Sequence, residues 1–236
     1  MTTPTSSRTK NTGHKAKARG QSSFGIWLIL GSVLIVALGV GITLLNNRTA
    51  TPTTAAQVDL PANWIQGKSM GNPEAKVVVQ TWEDFRCPHC REWTTTIEPQ
   101  LFNDYIKTGK VRLEFHLFPL NGFQPQSSIA GMAAECAADQ NLFWPYHDRL
   151  FAAQDQGLDA YTQGGLTAIA KAAGLDEAKF TQCFSGLQHQ STVNDSLQQA
   201  NKLGLTGTPS LLINGNLMNS PFDYTALKAA LDPLLK

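Results

Sequence analysis

A chain of 236 residues has room for one or two domains, and its nineteen basic and eighteen acidic residues leave it almost neutral. That balance supplies no global field of the kind that draws a protein to nucleic acid, so no nucleic-acid partner is expected. Hydrophobic residues make up 42% and charged residues only 16%, so part of the chain is expected to be strongly apolar.

Residues 1–23 carry Arg8, Lys10, Lys15, Lys17 and Arg19 with no Asp or Glu, in a polar Ser/Thr/Gly background that predicts a disordered basic tail. The run FGIWLILGSVLIVALGVGITLL, Phe24 to Leu45, has no charge. As a helix of about 22 residues it would reach roughly 33 Å, enough to span a bilayer core. A cleaved signal peptide has a shorter apolar core and a small-residue cleavage site. Here Leu44-Leu45-Asn46-Asn47 is a poor cleavage site, so 24–45 is read as a transmembrane signal anchor. Basic charge before the span places the N-terminus in the cytoplasm and everything after Leu45 outside it. A cell-membrane location with a single pass follows.

Residues 46–62 are small and polar with two prolines, and read as a linker. The folded domain is expected over 63–236. Lys76 to Trp82 (KVVVQTW) is β-branched and predicts a central strand. Pro88 suits a helix start, where its missing N–H costs nothing. That helix should run to about Lys107, with a kink at Pro99. Val111 to Phe118 alternates and predicts a second strand, completing a βαβ unit. A helical insertion of four to five helices then fills about 124–203. Pro209 to Ile213, the turn Asn214-Gly215 and Asn216 to Met218 read as a hairpin. Asp223 to Leu235 reads as a last helix.

Four cysteines, Cys87, Cys90, Cys136 and Cys183, all follow the apolar span, on the side where disulfides persist. The close pair in Cys87-Pro88-His89-Cys90 follows a strand and opens a helix. A zinc site would need further close Cys or His ligands, which are missing, so no metal is expected. At a helix N-terminus, free N–H groups and the macrodipole favour the Cys87 thiolate, and His89 can add a donor or a positive charge. A stabilised thiolate stabilises the reduced form, which makes the disulfide the stronger oxidant. Cys90, one turn on, should be more buried and close the enzyme disulfide.

The order Phe-Arg-Cys-Pro-His-Cys after a strand, a helical insertion, then Gly-Thr-Pro-Ser before a strand resembles the DsbA family of thiol–disulfide oxidoreductases. The resemblance covers about residues 64–236. It implies an α/β, thioredoxin-like fold with an inserted helical domain. Cys87 and Cys90 would be its catalytic pair and Pro88 and His89 its tuning residues. Thr208 and Pro209 would form its substrate-binding cis-proline loop. It also implies a protein dithiol:disulfide oxidoreductase with no cofactor of its own. Its substrates would be reduced exported proteins, and a quinone-linked membrane partner would reoxidise it. A monomer is expected. A reductase or isomerase of the same fold is the alternative, and a binding module without catalysis would need neither thiol.

Many members of that family carry a buried acid six residues before the first cysteine, and here that position is Thr81. The proton acceptor for Cys90 is therefore open, with Asp84 acting through water as one candidate. Some DsbA-like proteins have a structural disulfide in the insertion, which implies a Cys136–Cys183 pair; two buried thiols are the other reading. The aromatic run Phe143-Trp144-Pro145-Tyr146-His147 reads mainly as helix packing. His116 and His189 carry no assigned chemistry, and Glu98 and Asp104 read as solvated helix charges.

Overall fold

The computed structural model describes residues 60–236. The expected tail, the expected span at 24–45 and all but the end of the expected linker lie outside those residues. Among the described residues no helix is long and apolar enough to cross a membrane.

In chain order the elements are β1 (Ile65–Gln66), β2 (Ser69–Met70), β3 (Val77–Glu83), α1 (Pro88–Thr96), α2 (Glu98–Leu101) and β4 (Val111–Leu117). The insertion supplies α3 (Gln126–Ala138), α4 (Phe143–Ala152), α5 (Gln163–Ala172), α6 (Glu177–Ser185) and α7 (Gln190–Lys202). β5 (Ser210–Ile213), β6 (Asn216–Met218) and α8 (Tyr224–Leu231) complete the fold. The expected order β-α-β, helical block, β-β-α is the observed one. The β1–β2 hairpin is an addition, too short to show a periodicity in the sequence.

The strands form one mixed sheet in the order β1-β2-β4-β3-β5-β6. β3 lies at its centre, parallel to β4 from Val77↔Val111 to Glu83↔Leu117 and antiparallel to β5. Asn214 and Gly215 turn the β5–β6 hairpin with φ of 48° and 81°, the left-handed pair that a type I′ turn needs. In the insertion, the Asp176 carboxylate accepts from the N–H groups of Ala178 and Lys179 and so caps α6.

Alternation along β3 separates two cores. Val77 and Val79 pack on one face with α1, the insertion and α8. Trp82 points to the other face and packs with Phe118, Leu205 and Ala200 of α7. The apolar stripe of α1 continues as Cys90, Trp93, Ile97 and Leu101, all buried. The helix is interrupted at Ile97, just before the Glu98-Pro99 step, where the backbone stays right-handed helical (φ −98°, ψ −48°), close to the kink expected at Pro99. A π-turn, Phe102–Ile106, follows.

Glu98 corrects the sequence reading: it is only 8% exposed, not a solvated charge. It stands at the margin of the α1–α2 stripe, where α4 packs over it. Asp104 is exposed as expected and accepts from the Tyr224 hydroxyl at 2.7 Å.

Candidate redox site

β3 delivers the chain to a tight turn, Asp84 to Arg86, and Cys87 then caps α1 in an extended conformation with Pro88 as its first helical residue. Asp84 is the bolt of this turn. Its carboxylate accepts from the N–H groups of Arg86 and Leu120 at 2.8 Å each, and from the Ser127 hydroxyl at 2.7 Å. Its own N–H points at the Cys90 sulfur, 3.4 Å away. The insertion grips the same turn. Gln154 donates its amide to the carbonyls of Phe85 and Cys87 at 2.9 and 3.0 Å, and the Tyr161 hydroxyl donates to Phe85 at 2.9 Å. Arg91 forms a two-bond ion pair with Asp155. Gln154 and Tyr161 escaped the sequence reading because they lie in an irregular 3₁₀ stretch, Ala153–Tyr161, with no motif to mark it.

Cys87 and Cys90 are both free thiols, 4% and 0% exposed. The Thr208–Pro209 peptide bond is cis, and the Thr208 carbonyl lies 3.5 Å from the Cys87 sulfur. A second cis bond joins Gln124 to Pro125. The loop before β5 and the start of α1 therefore meet at one sulfur, although 121 residues separate them.

The two thiols are electrostatically unlike. The Cys87 thiol is lowered to about 5, chiefly by a hydrogen bond from the Cys90 thiol. The Thr208 side chain and the N–H groups of Cys90 and His89 add to this, against the opposing effect of burial. Cys90 is pushed well above the usual thiol range by burial and by its hydrogen bond with Cys87. His89 contributes its backbone N–H, while its ring is 72% exposed, 3.4 Å from Glu92 and edge-on to Phe222. The open helix terminus thus supplies more of the anion stabilisation than the imidazole does.

At the end of β3, Glu83 points to the same sheet face as Thr81, two residues earlier, and is fully buried. Burial pushes its carboxyl up to about 8, and the nearby Cys87 charge adds to this. Glu98 is raised well above the usual carboxyl range by burial, with Asp148 and Glu83 adding to it. Glu83, Glu98 and His147 bring one polar atom each to within 4.8 Å of one another. A carboxylate at position 83 was visible in the sequence, but only strand parity reveals that it shares the face of Thr81.

Cys136 on α3 and Cys183 on α6 are joined by a disulfide with a Cα–Cα distance of 5.9 Å. With His189 they form, among the described residues, the other close group of metal-competent atoms, but both sulfurs are spent in the bond to each other. In the Glu83 group, burial favours the neutral acids, which are weak ligands. Phe143, Trp144 and His147 pack inside the core with Phe115 and Phe151, as helix packing predicts.

A strand–turn–helix that offers one low-pKa thiol, backed by a buried partner and faced by a cis-proline loop, defines a thiol–disulfide oxidoreductase of thioredoxin-like fold. Residues 65–233 match the family model described as thioredoxin. The chain is 34% identical over 172 residues to the probable disulfide bond formation protein D of Bacillus anthracis, covering 72% of this chain and 78% of that protein. The fold is similar to that of oxidised BdbD from Bacillus subtilis, with a TM-score of 0.63 at 23% identity over 72% of this chain and 92% of that one. It is also similar to a thioredoxin-like oxidoreductase from Silicibacter pomeroyi, with a TM-score of 0.58 at 27% identity over 70% and 90% of the two chains. The chain belongs to the thioredoxin family and, within it, to the DsbA-like thiol–disulfide oxidoreductases.

Proposed function

We propose that this enzyme oxidises dithiols of exported proteins to disulfides through Cys87 and Cys90, from an extracytoplasmic domain anchored by residues 24–45. The observation that carries the reading is the inequality of the two thiols: Cys87 is lowered to about 5 while Cys90 is raised. A couple whose reduced form holds a stabilised thiolate accepts electrons readily.

In the reaction, a substrate thiolate attacks the Cys87 sulfur of the enzyme disulfide. The sulfur–sulfur bond breaks, its electron pair leaves on Cys90, and a mixed disulfide forms on Cys87. The second substrate thiolate attacks its partner's sulfur, and Cys87 departs as the stabilised thiolate. The oxidised substrate leaves and a reduced Cys87/Cys90 pair remains. The Thr208 carbonyl beside the Cys87 sulfur supplies a backbone acceptor for an extended substrate chain. Reoxidation falls to a quinone-linked membrane partner, consistent with an anchor in the same bilayer. The basic tail before the apolar span supports this orientation.

The test is oxidation of a reduced dithiol peptide by the purified protein, with Cys87→Ser as control. Activity should vanish in that variant, and its persistence would remove the assignment. The reduction potential of the pair decides the direction. A value near that of thioredoxin, roughly −270 mV, would defeat the oxidase reading in favour of a reductase.

A further inference from the structure

We propose that Cys136, Cys183, His189 and Asp139 are the ligands of a zinc site that exists only while the two sulfurs are reduced, and that closing the Cys136–Cys183 bridge expels the metal. The inference uses neither Cys87 nor Cys90 and goes beyond the dithiol oxidation proposed for them.

Three features of the bridge carry it. First, the two sulfurs and a ring nitrogen of His189 lie within 4.8 Å of one another. Second, a fourth donor is at hand. Asp139 Oδ2 lies 2.7 Å from His189 Nε2 and 3.7 Å from the Cys183 sulfur. Two thiolates, an imidazole and a carboxylate form a donor set that suits Zn²⁺ in tetrahedral coordination. Third, burial is graded across the group. Cys136 and Cys183 are buried, while the side chains of His189 and Asp139 are 20% and 52% exposed. A metal ion can therefore enter from solvent past the nitrogen and oxygen donors to reach the sulfurs.

The four donors are placed by backbone and side-chain bonds that involve no sulfur. Cys136 lies near the end of α3, and Asp139 is the residue that ends it. Gln140, the next residue, ties that end to the start of α6. Its amide donates to the Asp176 carbonyl at 3.3 Å, and its side-chain oxygen accepts from the Asp176 N–H at 2.8 Å. Cys183 lies near the end of α6, and the link to α7 turns back on it. Leu187 N–H donates to the Phe184 carbonyl at 3.1 Å and Gln188 N–H to the Cys183 carbonyl at 3.2 Å. His189, the residue before α7, is thereby set beside Cys183. Zinc–sulfur bonds of about 2.3 Å set two tetrahedral thiolates about 3.8 Å apart. With the two Cα atoms 5.9 Å apart, rotation of the side chains provides that separation without moving either helix. Bound Zn²⁺ ties α3 to α6 in the reduced chain, as the bridge does in the oxidised one.

Opening the site takes two electrons from a dithiol. One dithiol sulfur attacks a bridge sulfur, and the Cys136–Cys183 bond breaks. The second dithiol sulfur then displaces that bridge sulfur, and the dithiol leaves as a disulfide. Its two protons pass to Cys136 and Cys183. Zn²⁺ binds both sulfurs as thiolates and releases those two protons to solvent. In closing, a disulfide oxidant accepts two electrons and two protons and becomes two thiols. The Cys136–Cys183 bond forms and Zn²⁺ leaves.

The test uses the full chain carrying Cys87→Ser and Cys90→Ser, purified in detergent, so that the redox pair contributes no thiolate. Reduced by a phosphine and freed of it without oxygen, this chain should bind one Zn²⁺. Co²⁺ in its place should give a thiolate-to-metal charge-transfer band. The oxidised chain should bind neither. His189→Gln and Asp139→Asn leave both sulfurs in place, and each should weaken Zn²⁺ binding about tenfold or more. Zn²⁺ should also slow reclosure of the bridge by oxidised glutathione about tenfold or more, because a metal-bound thiolate is not free to attack. Circular dichroism reports whether each chain is folded. No uptake by the reduced chain would overturn the proposal, as would a reduced chain that stays unfolded with Zn²⁺ present. Uptake by the oxidised chain, or uptake that survives Cys136→Ser, would place the metal elsewhere and overturn it too. Binding unchanged in either His189→Gln or Asp139→Asn, or reclosure unaffected by Zn²⁺, would overturn the four-ligand site.

Discussion

Replacing Cys90 with alanine tests the origin of the Cys87 thiolate. The Cys90 thiol is the largest influence holding Cys87 near 5. A hydrogen bond to a charged group contributes about 1.5–3 kcal/mol. At about 1.4 kcal/mol per unit, that is about 1–2 pKa units. Cys90→Ala should therefore titrate about 1–2 units above the wild-type midpoint of about 5, still below the ordinary 9.0, because Thr208 and the helix N–H groups remain. Ultraviolet absorbance of the thiolate against pH measures this directly. Cys136 and Cys183 are silent in their disulfide, so a single sulfur reports. An unmoved midpoint would refute the role given to Cys90, and a wild-type midpoint near 9 would refute the inequality itself. A thiol depressed on folding from 9.0 to about 5 stabilises the reduced fold fully above pH 9, and loses that contribution as pH falls through 5. At neutral pH about two of those units count, at most about 2.7 kcal/mol, or roughly 60 mV for a two-electron couple.

Two structural predictions accompany it. Asp84→Ala strands the N–H groups of Arg86 and Leu120 and the Ser127 hydroxyl. It should cost about 3 kcal/mol or more in urea unfolding, and a loss under about 1 kcal/mol would contradict its role as the bolt of the turn. Removing the Cys136–Cys183 bridge with Cys136→Ala and Cys183→Ala opens a loop of 47 residues' separation. Stability should fall by about 4 kcal/mol in the chain-entropy account, while peptide oxidation under native conditions persists. Loss of that oxidation in a folded variant would show that the bridge takes part in the chemistry.

The sequence alone determined what depends on neighbours along the chain. Val77 to Glu83 is β-branched, Pro88 opens a helix, and Asn214-Gly215 tolerates left-handed backbone, so the strand, the redox turn and the hairpin were all legible. So was the convergence of Cys87 with Pro209, though only through resemblance, because contacts across more than a hundred residues leave no local pattern. Tertiary structure alone decided which polar residues are dry. Glu98 looks solvated by spacing, yet α4 covers it. Gln154 and Tyr161 lie in an irregular stretch, yet they hold the turn that leads into Cys87. The thiolate at Cys87 was legible from its place at a helix start, but its main stabiliser is the Cys90 thiol rather than the His89 ring. The sequence left the proton partner of Cys90 open at Thr81, and only packing shows that Glu83, Glu98 and His147 come within 4.8 Å of one another in the core. Burial is a property of packing between distant elements, and that is why a linear reading could name the sulfur pair but not the buried groups that surround it.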